Sequence, residues 1–180
     1  LRYDFSKVQA TKYYQKSRWD ERGYTEEFSD FIISSSGVQW LTKPQFIFNN
    51  FSNCLTILRN ADFKLADNND IYRTGVIGQF NLTFELAWKA LQEILRLHGA
   101  EGADTGSPRE ILQLGYKLGF VNDSAVWLLM LKKRNTSVHI YNEQEVDEMI
   151  LLIRDSFISA FVALEKTLRE KLAEAESDWT

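Results

Sequence analysis

The run from Ile77 to Gly99, IGQFNLTFELAWKALQEILRLHG, decides the fold. Ile77, Phe80, Phe84, Trp88, Leu91 and Leu95 recur at steps of three and four, which places them along one face of a helix. Gly99 follows as a C-terminal stop. So continuous an apolar face has to be buried against other helices, and the flanking sequence supplies them. Upstream, Phe51, Leu55 and Leu58 repeat at helical spacing from Phe48, until the polar stretch Asp67 to Asp70 interrupts. Downstream, Ser107-Pro108-Arg109-Glu110 predicts a capped start: Ser caps, Pro takes the first helical position and Glu reaches back. That helix is expected to run to about Leu118, before Gly119.

Asn122-Asp123-Ser124 offers the next cap, with Val126, Trp127, Met130 and Leu131 on the buried side of a helix expected to end near Arg134. Asn142, with Glu145 three residues on, opens a long last helix whose stripe is Val146, Met149, Ile153, Phe157, Ala160, Leu164 and Leu168. The prediction is an all-α bundle of four or five helices over residues 45–174, with a short tail at 175–180. Residues 1–44 have a different texture. Aromatic residues such as Tyr13, Trp19, Phe28 and Trp40 are scattered among charges without helical or alternating periodicity. They read either as an irregular arm docking its aromatics or as a partly ordered extension with one short helix, and no strand is expected.

Composition narrows the function classes. The chain has 180 residues, 44% of them hydrophobic and 26% charged, which suits one compact domain with an appendage and excludes a disordered or membrane class. A formal charge of −4 argues against a surface that is basic throughout. Cys54, the single cysteine, cannot form an internal disulfide, and no signal-peptide pattern or long apolar run is present, so a soluble cytoplasmic protein is expected. His98 and His139 lack partners at metal-ligand spacing, and Gly102 to Gly106 is followed by Ser-Pro rather than Lys-Ser/Thr, so neither a metal nor another cofactor is expected. His98 reads as a cation complementing a helix C-terminus.

The chemically informative segment is Leu131-Lys132-Lys133-Arg134-Asn135-Thr136-Ser137-Val138-His139-Ile140-Tyr141-Asn142. Three consecutive cations in a chain that is acidic overall make a local anion attractor. A continuous helix would set Arg134 and His139 about 140° apart, so the two converge only if the helix ends between them. Thr136, Ser137 and Val138 are mediocre helix formers, consistent with such an end. Arg134 would then offer a planar fork to phosphate, His139 a proton near neutral pH, and Tyr141 a phenol able to donate or be modified. Metal-free RNA cleavage needs little more: a base takes the ribose 2′-hydroxyl proton, a cation stabilises the phosphorane, and a cyclic phosphate is left as product. The structural alternative is that Arg134 caps the helix end while His139 and Tyr141 pack in the turn. Glu85 is the other unusual residue, a carboxylate inside an apolar stripe or at its rim.

Arg134-Asn135, three residues, then His139 and Tyr141 resembles the Arg-polar-x3-His-x-Tyr signature of HepT-like toxins in the HEPN superfamily. Phe80 to Lys89, Ser107 to Glu110 and Val126 to Leu131 are similar to the blocks of the branch called nucleotidyltransferase substrate-binding proteins, and the resemblance covers about residues 46–170. It implies an up-and-down helical bundle that dimerises so that two motifs face one cleft, acting as a metal-independent endoribonuclease on RNA. It also implies a minimal nucleotidyltransferase partner that serves as antitoxin by transferring AMP to Tyr141. On that reading Arg134 is the phosphate clamp, His139 the general base or acid, and Asn135 and Lys133 supporting residues. The alternative is a non-catalytic subunit whose cleft holds a nucleotide or other substrate for a separate nucleotidyltransferase.

Overall fold

The structure, a computed structural model, describes residues 11–20, 23–34, 37–137 and 142–177, with side chains over 42–137 and 142–175. Two compact units divide the chain, Leu1–Phe46 and Ile47–Thr180.

The second unit is the predicted helical bundle. Its helices are α1 (Lys43–Arg59, which belongs to this unit from Ile47 on), α2 (Phe63–Ala66), α3 (Asp70–Leu97), α4 (Pro108–Lys117), α5 (Ser124–Thr136), α6 (Glu143–Leu152) and α7 (Ile158–Ser177). The expected caps are present. Asp123 accepts from the N–H groups of Ala125 and Val126, Asn142 accepts from Glu145, and Ser107 with Glu110 forms a reciprocal capping box ahead of Pro108. Gly99 stops α3 at φ +68°, a conformation that glycine adopts without a Cβ penalty, and the N–H of Ala100 closes the end on the Leu95 carbonyl. At Gly115 a Cβ would lie 2.8 Å from the Leu91 side chain, so a residue without one lets α4 approach α3.

The core forms around α3, which packs against α4, α5, α6 and α7. Phe80 stacks on Phe157 at 5.3 Å between ring centroids and lies 6.1 Å from Phe161. Trp127 meets Phe161 edge-on at 5.5 Å, and Phe51 of α1 reaches Phe161 at 6.1 Å. These offset and edge-to-face geometries are the favoured ones for aromatic rings. Along α3, Phe80, Phe84, Leu91 and Leu95 are buried as expected, while Ile77 and Trp88 are only half-buried and Val76, Ala87, Ala90 and Ile94 complete the face.

The long C-terminal stripe departs from its prediction at one place. Ile153–Phe157 forms a π-turn between α6 and α7, with the N–H of Ile158 bonding back to the Ile153 carbonyl. Met149, Ile153, Phe157 and Phe161 are all buried at successive steps of four. In a regular α-helix each such step overshoots the turn by about 40°, and the wider turn absorbs the accumulated drift. Phe161 therefore takes the core position expected for Ala160, which is half-buried.

The first unit corrects the expectation of an irregular extension without strands. Its described backbone is a three-stranded antiparallel sheet, β1 (Thr11–Asp20), β2 (Gly23–Ser34) and β3 (Gly37–Leu41), in the order β1-β2-β3. The β1/β2 ladder runs from Thr11 opposite Ile32 to Asp20 opposite Gly23, and the β2/β3 ladder from Asp30 opposite Leu41 to Ser34 opposite Gly37. Its composition, rich in Tyr, Trp and Phe, favours extended backbone even where strict alternation is missing.

Two outcomes follow from the bundle. Phe80→Ala removes the ring at the centre of the core and is expected to lower unfolding free energy by about 3–5 kcal/mol in urea titration. The capping box holds the Glu110 carboxyl below the usual carboxylate range, chiefly through hydrogen bonding to Ser107. A depressed folded value means that the contribution is complete above the unfolded glutamate value, about 4.3, and is lost as pH falls through the folded one. Stability of Glu110→Gln should accordingly fall less steeply than that of the parent when urea midpoints are followed below about pH 5.

Candidate functional site

Arg134 reaches the site because it continues the buried face of α5. Trp127 and Met130, seven and four residues before it, are in the core, so the next position on that face is Arg134 at the rim. On α3, Asn81, Glu85 and Trp88 each follow a buried residue, Phe80, Phe84 or Ala87, and so form a second stripe about 100° round the helix. That stripe meets the last turn of α5.

The contacts are polar and specific. Arg134 Nη2 lies 2.7 Å from Glu85 Oε1, with the two side chains 39% and 27% exposed. Trp88 Nε1 donates to the other carboxylate oxygen of Glu85 at 3.2 Å. Arg134 Nη1 donates to Asn135 Oδ1 at 3.2 Å. One step along, Asn81 Nδ2 donates to Ser137 Oγ at 2.9 Å, and that hydroxyl lies 2.8 Å from the Arg134 carbonyl oxygen, to which it can donate. Thr136 Oγ1 donates to the carbonyls of the preceding turn. Side-chain hydroxyls thus satisfy carbonyls at the end of α5, while its cations complement the negative end of the helix dipole. Lys133 Nζ pairs with Glu148 Oε1 of α6 at 2.8 Å.

The helix ends at Thr136, two residues beyond the predicted position, with Ser137 as its cap residue. His139 and Tyr141 lie outside the described residues, so their approach to Arg134 is not part of this geometry. Arg134, Asn135 and Lys133 are each engaged at the α5 end as described. Glu85, suggested by its unusual place in the stripe, is the partner of Arg134. Asn81 and Ser137 were not recognisable as a pair; the available signal was the polar stripe at positions 81, 85 and 88. His98 bonds a carbonyl of another helix, Lys171 O of α7, through Nε2 at 3.0 Å, so that nitrogen carries the proton. It also packs edge-on to Phe120 at 5.8 Å.

Among the described residues no group of three or more His, Cys, Asp or Glu side chains is arranged to hold a metal ion, and no helix is long and apolar enough to cross a membrane. A cavity of about 720 Å³ lined by Ile57, Ile71, Tyr72 and Val76, and one of about 290 Å³ lined by Trp127, Ser156 and Ser159, lie away from Arg134. The chemistry available at the α5 end is anion recognition by a guanidinium held from one side by a carboxylate.

The pair between Lys133 and Glu148 is largely solvent-facing on the glutamate side. Lys133→Ala is therefore expected to change unfolding free energy by less than about 1 kcal/mol, as measured by urea titration.

Residues 47–170 match the family model described as nucleotidyltransferase substrate binding protein like. The match takes in α2 to α6 whole, most of α1 and α7, and the Arg134 segment, and it starts where the second unit starts. A Haemophilus influenzae protein, whose structure reveals the fold of a substrate binding domain of a nucleotidyltransferase, is 21% identical with a TM-score of 0.55, covering 70% of this chain and 96% of that one. A crystal structure from Thermus thermophilus is 27% identical with a TM-score of 0.51, covering 69% of this chain and 98% of that one. No curated protein matches this chain. By its sequence over residues 47–170, the chain belongs to the nucleotidyltransferase substrate-binding-protein-like family.

Proposed function

We propose that the chain is the substrate-binding partner of a separate nucleotidyltransferase and that its ligand contact is the α5 end around Arg134. The family match over residues 47–170 carries this reading. The local geometry supports it: a half-exposed guanidinium, fixed between Glu85 and Asn135, is suited to the phosphate groups that nucleotidyl transfer handles. Lys132 and Lys133 on the same turn raise the local positive potential. The nucleotidyltransferase supplies the transfer chemistry, and this chain presents the acceptor or the nucleotide to it.

The second reading is the metal-independent endoribonuclease, a toxin held in check by AMP transfer to Tyr141. One observation favours it: α5 ends between Arg134 and His139, as convergence of the two requires. On this reading the active form is a homodimer whose two motifs share one cleft, and RNA is the substrate. Arg134 would clamp the phosphodiester and His139 would move the 2′-hydroxyl proton.

The two readings separate in one pair of assays on the purified chain. The binding reading predicts saturable ATP binding by calorimetry, weakened at least about tenfold in Arg134→Ala, with RNA left intact in EDTA. EDTA-resistant cleavage that disappears in His139→Ala, with helical content unchanged by circular dichroism, would overturn it in favour of the ribonuclease.

A further inference from the structure

We infer that Glu85 is the resident counter-ion of the ligand site, occupying the Arg134 guanidinium until a phosphoryl group of the ligand takes it over. The inference rests on reading Arg134 as the ligand contact, and it adds what stands there beforehand and what that does to affinity.

Three features of the contact support it. The pair joins two helices whose residues are far apart in sequence, and its 2.7 Å separation is that of a charge-assisted hydrogen bond. The carboxylate does not depend on Arg134 alone for its place, because Trp88 Nε1 holds its second oxygen at 3.2 Å. The half-buried Trp88 ring in turn carries the Lys89 ammonium 5.8 Å from its centroid. When the guanidinium moves to a ligand, Glu85 therefore keeps a hydrogen-bond donor rather than being left unpaired.

The third feature is the geometry of the fork. Arg134 spends Nη2 on Glu85 and Nη1 on Asn135, so both terminal nitrogens are engaged. Each terminal nitrogen carries two N–H groups, and a phosphoryl group that takes the N–H directed at Glu85 displaces the carboxylate from it. Solvent reaches both partners, and a pair exposed to that degree contributes little net stability, so exchange of one anion for another is easy. Until then, a negative charge in direct contact with the guanidinium cancels much of the attraction that an approaching anion would feel.

Glu85→Gln tests this because it removes the charge while keeping an oxygen that accepts from Arg134. Calorimetric titration of the whole chain with inorganic pyrophosphate at low ionic strength compares the parent, Glu85→Gln, Arg134→Ala and the double variant. The expected result is about tenfold tighter binding in Glu85→Gln, with the gain abolished when Arg134→Ala is added. Equal or weaker binding in Glu85→Gln, a gain that survives loss of Arg134, or no pyrophosphate binding by any variant would overturn the inference. Melting temperature checks that Glu85→Gln is folded. An independent readout in the parent is the Arg134 Nε–Hε resonance, which should shift on addition of pyrophosphate; binding without that shift would also overturn it. An Arg134-dependent gain with pyrophosphate, in a chain that shows no ATP binding, would leave the counter-ion in place and remove the nucleotide reading.

Discussion

The aromatic cluster centred on Phe80 is the contact on which the rest of the bundle depends. Through Phe157 and Phe161 it fixes the C-terminal rod against α3, through Trp127 it fixes α5, and through Phe51 it fixes α1. Once Phe80, Phe84 and Ala87 are committed to that core, the geometry of the helix leaves no freedom for the residues that follow them. Asn81, Glu85 and Trp88 must line the adjacent stripe. In the same way, burying Trp127 and Met130 delivers Arg134 to the rim of α5. The polar site is a consequence of apolar packing one residue out of phase.

Much of this was legible from residue spacing. The α3 stripe, the capping box at Ser107 and Glu110 and the caps at Asp123 and Asn142 are local signals, satisfied within one turn of chain, and each appears in the structure. The π-turn was not legible. The apolar spacing from Met149 to Phe161 is compatible with either a slowly rotating stripe or a widened turn, and only the position of the α3 aromatic rings decides between them. The strands were missed for another reason. Each side of a hairpin is specified by its partner strand, so neither Thr11–Asp20 nor Gly23–Ser34 shows by itself the alternation that marks a half-buried strand.

The site was half legible. The Arg134 segment stood out as an excess of cations before a weak stretch of helix, and Glu85 as a charge among apolar neighbours. Their pairing was not visible, since it depends on the crossing of α3 and α5, which no local pattern encodes. The arrangement seen is an arginine held by a carboxylate on one side and by an amide on the other.

The central claim is that the ligand enters where α3 crosses the end of α5. Amide hydrogen exchange followed by mass spectrometry, on the whole chain with and without saturating ATP, tests it most directly. Slower exchange confined to peptides covering Asn81 to Trp88 and Lys132 to Glu145 is the predicted result. Protection elsewhere, such as around the cavity formed by Trp127, Ser156 and Ser159, with those two segments unchanged, would contradict the account.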